Sequence, residues 1–468
     1  MASSMNIMGT YSGITMETVE QLISAESGKL TKFTREQTSL KAEQSAWKDV
    51  QSRLTNLTDK MSALTKTGAF DSKKVKLSQE DKFTLTASPD AIAGDFSVKI
   101  KQLATRTQVI GNKLAEDTKL NRAWGKTGEL TVGSVGKEAQ TITIAATDSI
   151  ESIIDRINEG TKDSGVSAVI IDNHVVLQSA AYGDKKVEIS GSLATDLGLT
   201  EPDSVKQGQV ASLVVNGIPI ERDSNTISDI MEGVTLNLQA PTTETLEVAI
   251  TDDLENSTKL VQDFVDQYNS TMSFISTQLD VGDPSAENNK TGALAGDSSL
   301  VRLQSQLRGL LTQPVANDHK GKNTLSAIGI TIDRYGVANL DKSKLETALK
   351  ENSKIVSDLF NYTVETTSEA ADGTTVTKKD EVGMAQKFST LLTSFTDSKE
   401  GIIATKNETY DKMIKDLDKR ISVFNERLDA KRTRYIEQFT ALDIAMMEAE
   451  SQINYLMSQV SSSNGNNK

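Results

Sequence analysis

Two columns of apolar residues, each repeating every seven positions, lie near opposite ends of this chain and constrain its fold more than any other feature. Their members are Phe33, Leu40, Trp47, Leu54 and Met61 at one end, and Ile414, Ile421, Leu428, Tyr435, Leu442, Ala449 and Leu456 at the other. A seven-residue repeat keeps side chains on nearly one face of a helix, so each column is a seam that needs a partner helix. We therefore expect the ends to form a helical stalk from which the middle projects.

Helix-breaking residues are distributed as this stalk requires. All six prolines lie outside the two terminal arms, and glycine is absent from Ile402 to Asn464. Long helices are therefore predicted from Leu30 to Leu64 and, without interruption, over the glycine-free segment. Two more helices are predicted, one at residues 254 to 280 and one that carries Leu300 to Leu311 after an N-cap supplied by Gly296 to Ser299.

After Gly68 the pattern changes to short alternating runs that are typical of strands, such as the run around Phe83 and Leu85. One unit is predicted as strand, helix, strand and strand, at Thr141 to Ala145, Ile150 to Asn158, Val166 to Asp172 and His174 to Gln178. A weaker copy is predicted later, with a strand at Ser212 to Val215, its helix at Thr226 to Met231, and strands at Val234 to Leu238 and Leu246 to Ile250. Nearer the C-terminus the pattern predicts a hairpin at Ile328 to Asn339, a short helix at Ser343 to Lys350 and a polar loop at Thr363 to Glu381.

These elements predict an α+β multidomain fold, in which a coiled-coil or helical-bundle stalk made by the terminal helices carries inserted β-rich domains. The expected divisions are a flexible N-terminal leg segment at 1–35, stalk at 36–70, a β-rich middle domain at 71–105 and 206–250, an inserted outer α+β domain at 106–205, stalk at 251–440 with a hairpin at about 328–340, and a C-terminal leg segment at 441–468.

Composition excludes several classes of function. The net charge is −14, and residues 71 to 250 carry 26 acidic and 18 basic groups, which argues against nucleic acid as a partner because phosphate binding relies on clustered Lys and Arg. Cysteine is absent, so no disulfide or thiolate metal site supports the fold. No apolar run approaches the roughly 20 residues that span a bilayer, so membrane insertion is not expected.

The sequence offers no convergent catalytic constellation. His174 and His319 are far apart, form no metal-binding spacing, and are interpreted as surface residues. Nucleophile-elbow, Walker A and Rossmann motifs are missing. We therefore expect no catalytic, metal-ligating or cofactor-binding residues, and no cofactor.

The two seams have different expected partners along their lengths. Their inner parts, Leu40 to Leu64 and Ile414 to Tyr435, are expected to pack with the helices at 254 to 280 and 300 to 311. The outer parts, residues 1 to 35 and about 440 to 460, have no expected cover within one chain. Residues expected to face other subunits or partners are Val19, Leu22, Ile23, Phe439, Leu442, Met446, Ile453, Leu456 and Val460.

Several stretches, in this order, carry a family resemblance: Gly9 to Ile14 with Val19, Leu22, Glu26 and Leu30; Ser97 to Ala104; Asp148 to Asn158 with Gly165 to Ala168; Leu294 to Leu300; Ile328 to Ile330; Leu340, Asp341 and Leu345; and Arg434 to Asp443 with Met446 and Leu456. Together they resemble the flagellar filament cap family, also called hook-associated protein 2. The stretch from Asp148 is similar to a small repeat of flagellins and cap proteins.

The resemblance implies a ring of about five or six subunits at the distal tip of the bacterial flagellum, with the β-rich domains as a plate and the terminal helices as legs. It implies flagellin and hook–filament junction proteins as partners, and it places flagellin folding and insertion beneath the plate. It also implies export through the flagellar type III apparatus, with a cytoplasmic chaperone on the C-terminal helix, and a requirement for filament elongation and motility.

Other functions stay open at this point. A hook–filament junction protein, or another structural protein of the same axial family, is the main alternative. An adhesin that binds glycans through the β-rich domains is compatible with exposure at a tip. An enzyme is the least favoured class, because no convergent site is found.

Overall fold

A computed structural model of the protein describes residues 8–283, 285, 289–319, 321–369 and 375–464. The chain divides into two compact units, one formed by Met1–Thr65 with Lys259–Lys468 and the other by Lys66–Thr258. Helices from both ends belong to the first unit and the β-rich middle of the chain forms the second, which confirms the predicted α+β class. The finer division into legs, stalk, middle and outer domains stays a prediction.

The chain begins with two helices, α1 (Met16–Glu26) and α2 (Gly28–Ala63). The long helix predicted from Leu30 to Leu64 is confirmed by α2. Its buried face combines the seven-residue column with residues three positions later, such as Val50 and Leu57, because a straight helix of 3.6 residues per turn drifts against a strict heptad. The result is a broad apolar face with room for more than one partner helix.

The middle unit contains strands, short helices and the start of a long helix. In chain order its strands and short helices are β1 (Lys73–Leu77), β2 (Phe83–Ala87), β3 (Gly94–Gln102), β4 (Gln108–Lys113), β5 (Gly128–Ser134), β6 (Gln140–Ile144), α3 (Ile150–Glu159), α4 (Thr161–Ser164), β7 (Val166–Ile171), β8 (His174–Ser179), β9 (Val187–Ser190), α5 (Ser192–Asp196), β10 (Val205–Lys206), β11 (Ala211–Val215), β12 (Ile218–Arg222), β13 (Thr226–Ile227), β14 (Val234–Leu238) and β15 (Leu246–Asp252).

Two antiparallel sheets share one core in this unit. The first has the order β1-β15-β3-β11-β12 and the second the order β13-β14-β2. In the first sheet Val98 stands opposite Val215 on one side and Leu246 on the other. Alternate residues of these strands point inward, so that Phe83, Val98, Ile100, Leu213 and Leu236 are completely buried in a common cluster.

A second core lies between the sheets β10-β4-β8-β7 and β6-β5-β9 and the helix α3. Ser149 caps α3 by accepting a hydrogen bond from the Ser152 backbone N–H at 3.1 Å. Four isoleucines of α3, Ile150, Ile153, Ile154 and Ile157, face this core. Gly165 ends α4 with a left-handed backbone (φ +66°) that turns the chain into β7. The predicted strand–helix–strand–strand unit is confirmed.

In the weaker second copy of that unit the predicted strands are confirmed as β11, β14 and β15, but the predicted helix is wrong, because Thr226 to Met231 is not helical. Thr226 and Ile227 form β13, which pairs with β14, and Ile227 is buried in the sheet core. Just before them, the Asn225 side chain bonds both the N–H and the C=O of Ala104, at 2.7 and 2.9 Å. These bonds tie the chain to β-structure, and a helix of only six residues is too short to form stably in their place.

The C-terminal half completes the helical unit. Its elements are α6 (Leu254–Leu279), α7 (Ser298–Thr312), a 3-10 helix (Leu325–Ile328), β16 (Ile330–Ile332), β17 (Ala338–Leu340), α8 (Lys342–Phe360), β18 (Thr363–Glu369), β19 (Thr375–Glu381), α9 (Met384–Thr396) and α10 (Ile402–Asn464). The helices α6 and α7, the hairpin β16–β17 and the unbroken helix from 402 to 464 are confirmed. Within the predicted capping stretch Gly296 to Ser299, Asp297 is the residue that caps α7, accepting bonds from the Ser299 and Leu300 N–H groups.

Three features of this half differ from the sequence predictions. The helix predicted at Ser343 to Lys350 continues to Phe360, past a non-helical residue at Asn352. The polar loop predicted at Thr363 to Glu381 is instead the hairpin β18–β19, whose segments are rich in β-branched Thr and Val. The helix α9 was not predicted at all, although Phe388, Leu392 and Phe395 lie on one buried face of it.

Among the described residues, no helix is long and apolar enough to cross a membrane.

Candidate assembly surfaces

The two predicted seams meet as an antiparallel pair formed by α2 and α10. Hydrogen bonds from Gln37 to the Asp418 carboxylate and from Gln44 to Asp411, at 2.7 Å, set the register, because both partners step by seven residues in opposite directions. Lys406 Nζ lies 5.0 Å from the centre of the Trp47 ring, which is completely buried.

Burial of the seam residues changes along the pair. Leu40, Trp47, Leu54, Met61 and Leu428 are buried, whereas Phe33, Ile414, Ile421 and Tyr435 are only half-buried. The buried residues of α2 lie in a part of the helical unit to which α6 and α9 also contribute. Arg53 of α2 donates a hydrogen bond to Ser270 of α6 at 2.8 Å. The rings of Phe264 in α6 and Phe388 in α9 pack edge to face. The set of partner helices predicted from the sequence therefore lacked one member, α9.

Helix α1 packs antiparallel against the part of α10 that lies beyond the first residues of α2. Val19 and Ile23 are buried with Leu428, and Tyr435, Ile436 and Phe439 pack around them. The expectation that residues 1 to 35 find no cover within one chain is therefore wrong for these two residues. The neighbouring Leu22 lies on the outer side of α1 and is exposed.

Ion pairs flank this apolar contact. Glu20 pairs with Arg432 at 2.9 Å, and Glu26 accepts hydrogen bonds from Lys431 and from the Tyr435 hydroxyl. The Lys431 ammonium, followed by the tyrosine hydroxyl, holds the pKa of Glu26 below its ordinary value. These pairs fix the register of α1 on α10 at the rim of the contact.

Asp443 on α10 holds the segment that precedes α1. Its carboxylate accepts hydrogen bonds from the backbone N–H groups of Gly9, Tyr11 and Ser12, at 2.6, 3.0 and 2.7 Å, and from the Ser12 hydroxyl at 3.0 Å. The bond from Gly9, together with those from Ser12 and Tyr11, lowers the pKa of Asp443. We call this arrangement the Asp443 clasp. In the sequence there is one weak signal of this clasp, namely that Asp443 is a single acidic residue within an apolar stretch of α10.

Beyond the clasp, α10 continues with an exposed apolar face. We call Leu442, Met446, Ile453, Leu456 and Val460 the apolar stripe; their side chains are between 40% and 61% exposed. Phe439, at the start of this region, is half-buried against Tyr435, with the two rings stacked 6.0 Å apart. At 1.5 Å per residue the helix runs roughly 30 Å past Asp443. In the described part of the chain, Leu442, Met446, Ile453 and Leu456 therefore keep 40% or more of their surface open to solvent.

The two histidines take part in local structural contacts. His174 Nδ1 lies 2.8 Å from the Gly111 carbonyl oxygen, and His319 Nε2 lies 2.8 Å from the Asp358 carboxylate, which also binds Lys354. Both rings are half-buried, so the interpretation as surface residues is only partly right. No cluster of three or more potential metal ligands occurs in the described part of the chain.

Three family models match this chain. That of the flagellar hook-associated protein 2 C-terminus covers residues 208–451, that of its N-terminus residues 12–107, and that of the flagellin hook IN motif residues 129–181. Flagellar hook-associated protein 2 of Escherichia coli (strain K12) is 31% identical over the whole of both chains, and that of Salmonella typhimurium is 28% identical over 99% of each.

A solved structure has the same architecture. The crystal structure of three domains of the flagellar cap protein from Escherichia coli superposes with a TM-score of 0.60 at 29% sequence identity, and the match covers 78% of this chain and 99% of that chain.

Proposed function

The chain belongs to the flagellar hook-associated protein 2 family, and on that premise we propose that it caps the distal tip of the bacterial flagellar filament. It is exported and acts outside the cell, where it promotes the insertion of flagellin and prevents its loss. It associates with flagellin and assembles as an oligomer. The family is structural, and in our proposal this chain acts as a scaffold rather than as an enzyme.

The observation that carries the proposal is the apolar stripe at the end of α10. Each Å² of apolar surface that is removed from water stabilises a complex by about 25 cal/mol. Five exposed apolar side chains on one helix face therefore favour binding to a partner. The Asp443 clasp and α1 protect the preceding part of α10 within the same chain. The stripe is thus the part of the leg left for other subunits, flagellin or junction proteins.

Two finer partners belong to the same proposal. The family resemblance implies a ring of about five or six copies, and a closed cyclic assembly leaves no copy's contact surface at an open end. Before export, a cytoplasmic chaperone covers the stripe, because an exposed amphipathic helix face in the cytoplasm invites aggregation. Hook–filament junction proteins bind the same apolar stripe when the first filament subunits are added.

Complementation of a strain that lacks its cap protein tests this function. The test variant carries Met446→Ser, Ile453→Ser and Leu456→Ser, and the control carries Ser451→Ala, Gln452→Ala and Asn454→Ala, which lie on the same exposed helix. We expect the test variant to be exported but to leave cells non-motile, with flagellin monomer in the medium, while the control restores filaments. Full motility with the test variant would contradict the role of the stripe.

Location separates the cap from the main alternative, a hook–filament junction protein. Antibody labelling of intact filaments is expected only at the distal tip. Labelling confined to the hook–filament boundary would favour the junction alternative.

A further inference from the structure

A groove with a basic rim lies between the helices α2 and α10. It is closer to the other helices of the unit than the apolar stripe is. It has a volume of about 350 Å³ and is lined by Lys29 and Phe33 of α2 and by Lys419, Arg420, Val423, Phe424 and Arg427 of α10. We call it the basic groove. Its floor is apolar: the Phe33 and Phe424 rings meet edge to face with centroids 6.3 Å apart, and Val423 is 54% exposed.

The rim of the groove is positively charged in a chain whose net charge is −14. Nearby acids have other partners: Asp416 pairs with Arg420 at 2.8 Å, and Asp418 accepts the hydrogen bond from Gln37. Among the described residues, Lys29, Lys419 and Arg427 have no such acidic partner. A ligand for this groove therefore needs apolar side chains together with negative charge.

The end of α10 has the complementary chemistry. No Lys or Arg occurs from Tyr435 to Asn467, and Glu450 lies one turn after Met446 and one turn before Ile453, at the edge of the apolar stripe. The stripe is thus an apolar face with an acidic border.

The two surfaces of one chain cannot meet each other. Val423 and Met446 lie on one continuous helix, so they are separated by roughly 35 Å at 1.5 Å per residue. A contact between them must therefore join two copies. Because the two surfaces differ, the contact is head to tail, the type that closes into a ring when the rotation between copies allows it.

We propose that the basic groove of one copy binds the apolar stripe and Glu450 of a second copy. The inference rests on the proposed function, because it names the surface that receives the leg of a neighbouring subunit within the oligomer. Met446 and Ile453 fill the apolar floor around Phe33 and Phe424, and Glu450 faces Arg427 and Lys419. Salt weakens the contact, since its charged rim is exposed to solvent.

A charge-swap cycle on the full-length protein tests the pairing by sedimentation velocity at low ionic strength. Arg427→Glu and Glu450→Arg should each weaken self-association about tenfold, because each places like charges opposite one another, and the combined variant should recover most of the loss. Lys350→Glu, exposed and outside the groove, and Glu448→Arg, on the opposite face of α10, are matched controls and should leave association unchanged. Far-ultraviolet circular dichroism verifies that each variant is folded.

The outcomes separate this inference from the proposed function. A wild-type protein that stays monomeric at every concentration would count against both. Association that is unaffected by Arg427→Glu overturns the groove while leaving the oligomer intact. Weakening by both single changes without recovery in the combined variant means that another segment occupies the groove, which also overturns the inference.

Discussion

Replacing Ile23 by alanine isolates the contribution of α1's contact with α10. Ile23 is 6% exposed in the cluster with Val19 and Leu428, so the change removes about three buried carbon groups at ~0.8 kcal/mol each, or about 2.5 kcal/mol. The cluster is small and lies at the end of the helical unit, so the loss should appear as local opening of α1. Native-state hydrogen exchange should then show the amides of α1 exchanging about 70-fold faster.

Leu22→Ala is the matched control, because Leu22 is the adjacent residue of α1 and its side chain is exposed. It should change exchange in α1 by less than about threefold, since surface substitutions usually stay within ±0.5 kcal/mol. The amides around Leu54 in α2 should keep their protection in both variants. Equal effects of Ile23→Ala and Leu22→Ala would refute the reasoning, as would loss of protection throughout α2.

Further predictions follow from single contacts. Asp443→Asn should release the amides of Gly9, Tyr11 and Ser12, seen as loss of their dispersed NMR signals, while Glu448→Gln should not. Because its folded pKa is lowered, the carboxylate of Asp443 contributes fully above its unfolded value of about 3.9, and this contribution should disappear as the pH falls through the lower folded value. Asp297→Ala removes the cap of α7 and the ion pair with Lys406, so urea unfolding should show about 1 to 2 kcal/mol less stability, whereas Ser298→Ala should be nearly neutral. Phe388→Ala should cost about 3 to 5 kcal/mol in the same assay, because its ring is completely buried against Phe264.

Long-period patterns in the sequence predicted the helical framework well. Seven-residue columns and the absence of breakers were sufficient for α2 and for the uninterrupted α10, because these signals accumulate over many turns. Alternation located β2, and the helix predicted at Ile150 to Asn158 corresponds to α3. Short segments were harder. The helix α9 has only 13 residues, and it is held by burial of Phe388 and Phe395 in the bundle rather than by a strong local signal.

The partners of each apolar face could not be predicted from the sequence. Val19 and Ile23 formed a recognisable apolar patch, but the pattern did not show that α10 of the same chain would cover them. The Asp443 clasp joins groups more than 430 positions apart in the chain, through backbone N–H groups that any sequence possesses. Tertiary contacts of this kind have no periodic signature.

The absence of native cysteine allows a direct measurement of whether assembly covers the apolar stripe. Single cysteines replace Leu456 in the stripe or, as a control, Val301, an exposed residue of α7. Thiol labelling rates are then compared between dilute monomer and caps assembled on filaments. We predict that labelling at position 456 is fast in the monomer and strongly slowed in the assembled cap, while position 301 labels at similar rates in both. Equally fast labelling at position 456 in monomer and cap would contradict the claim that the end of α10 is an assembly surface.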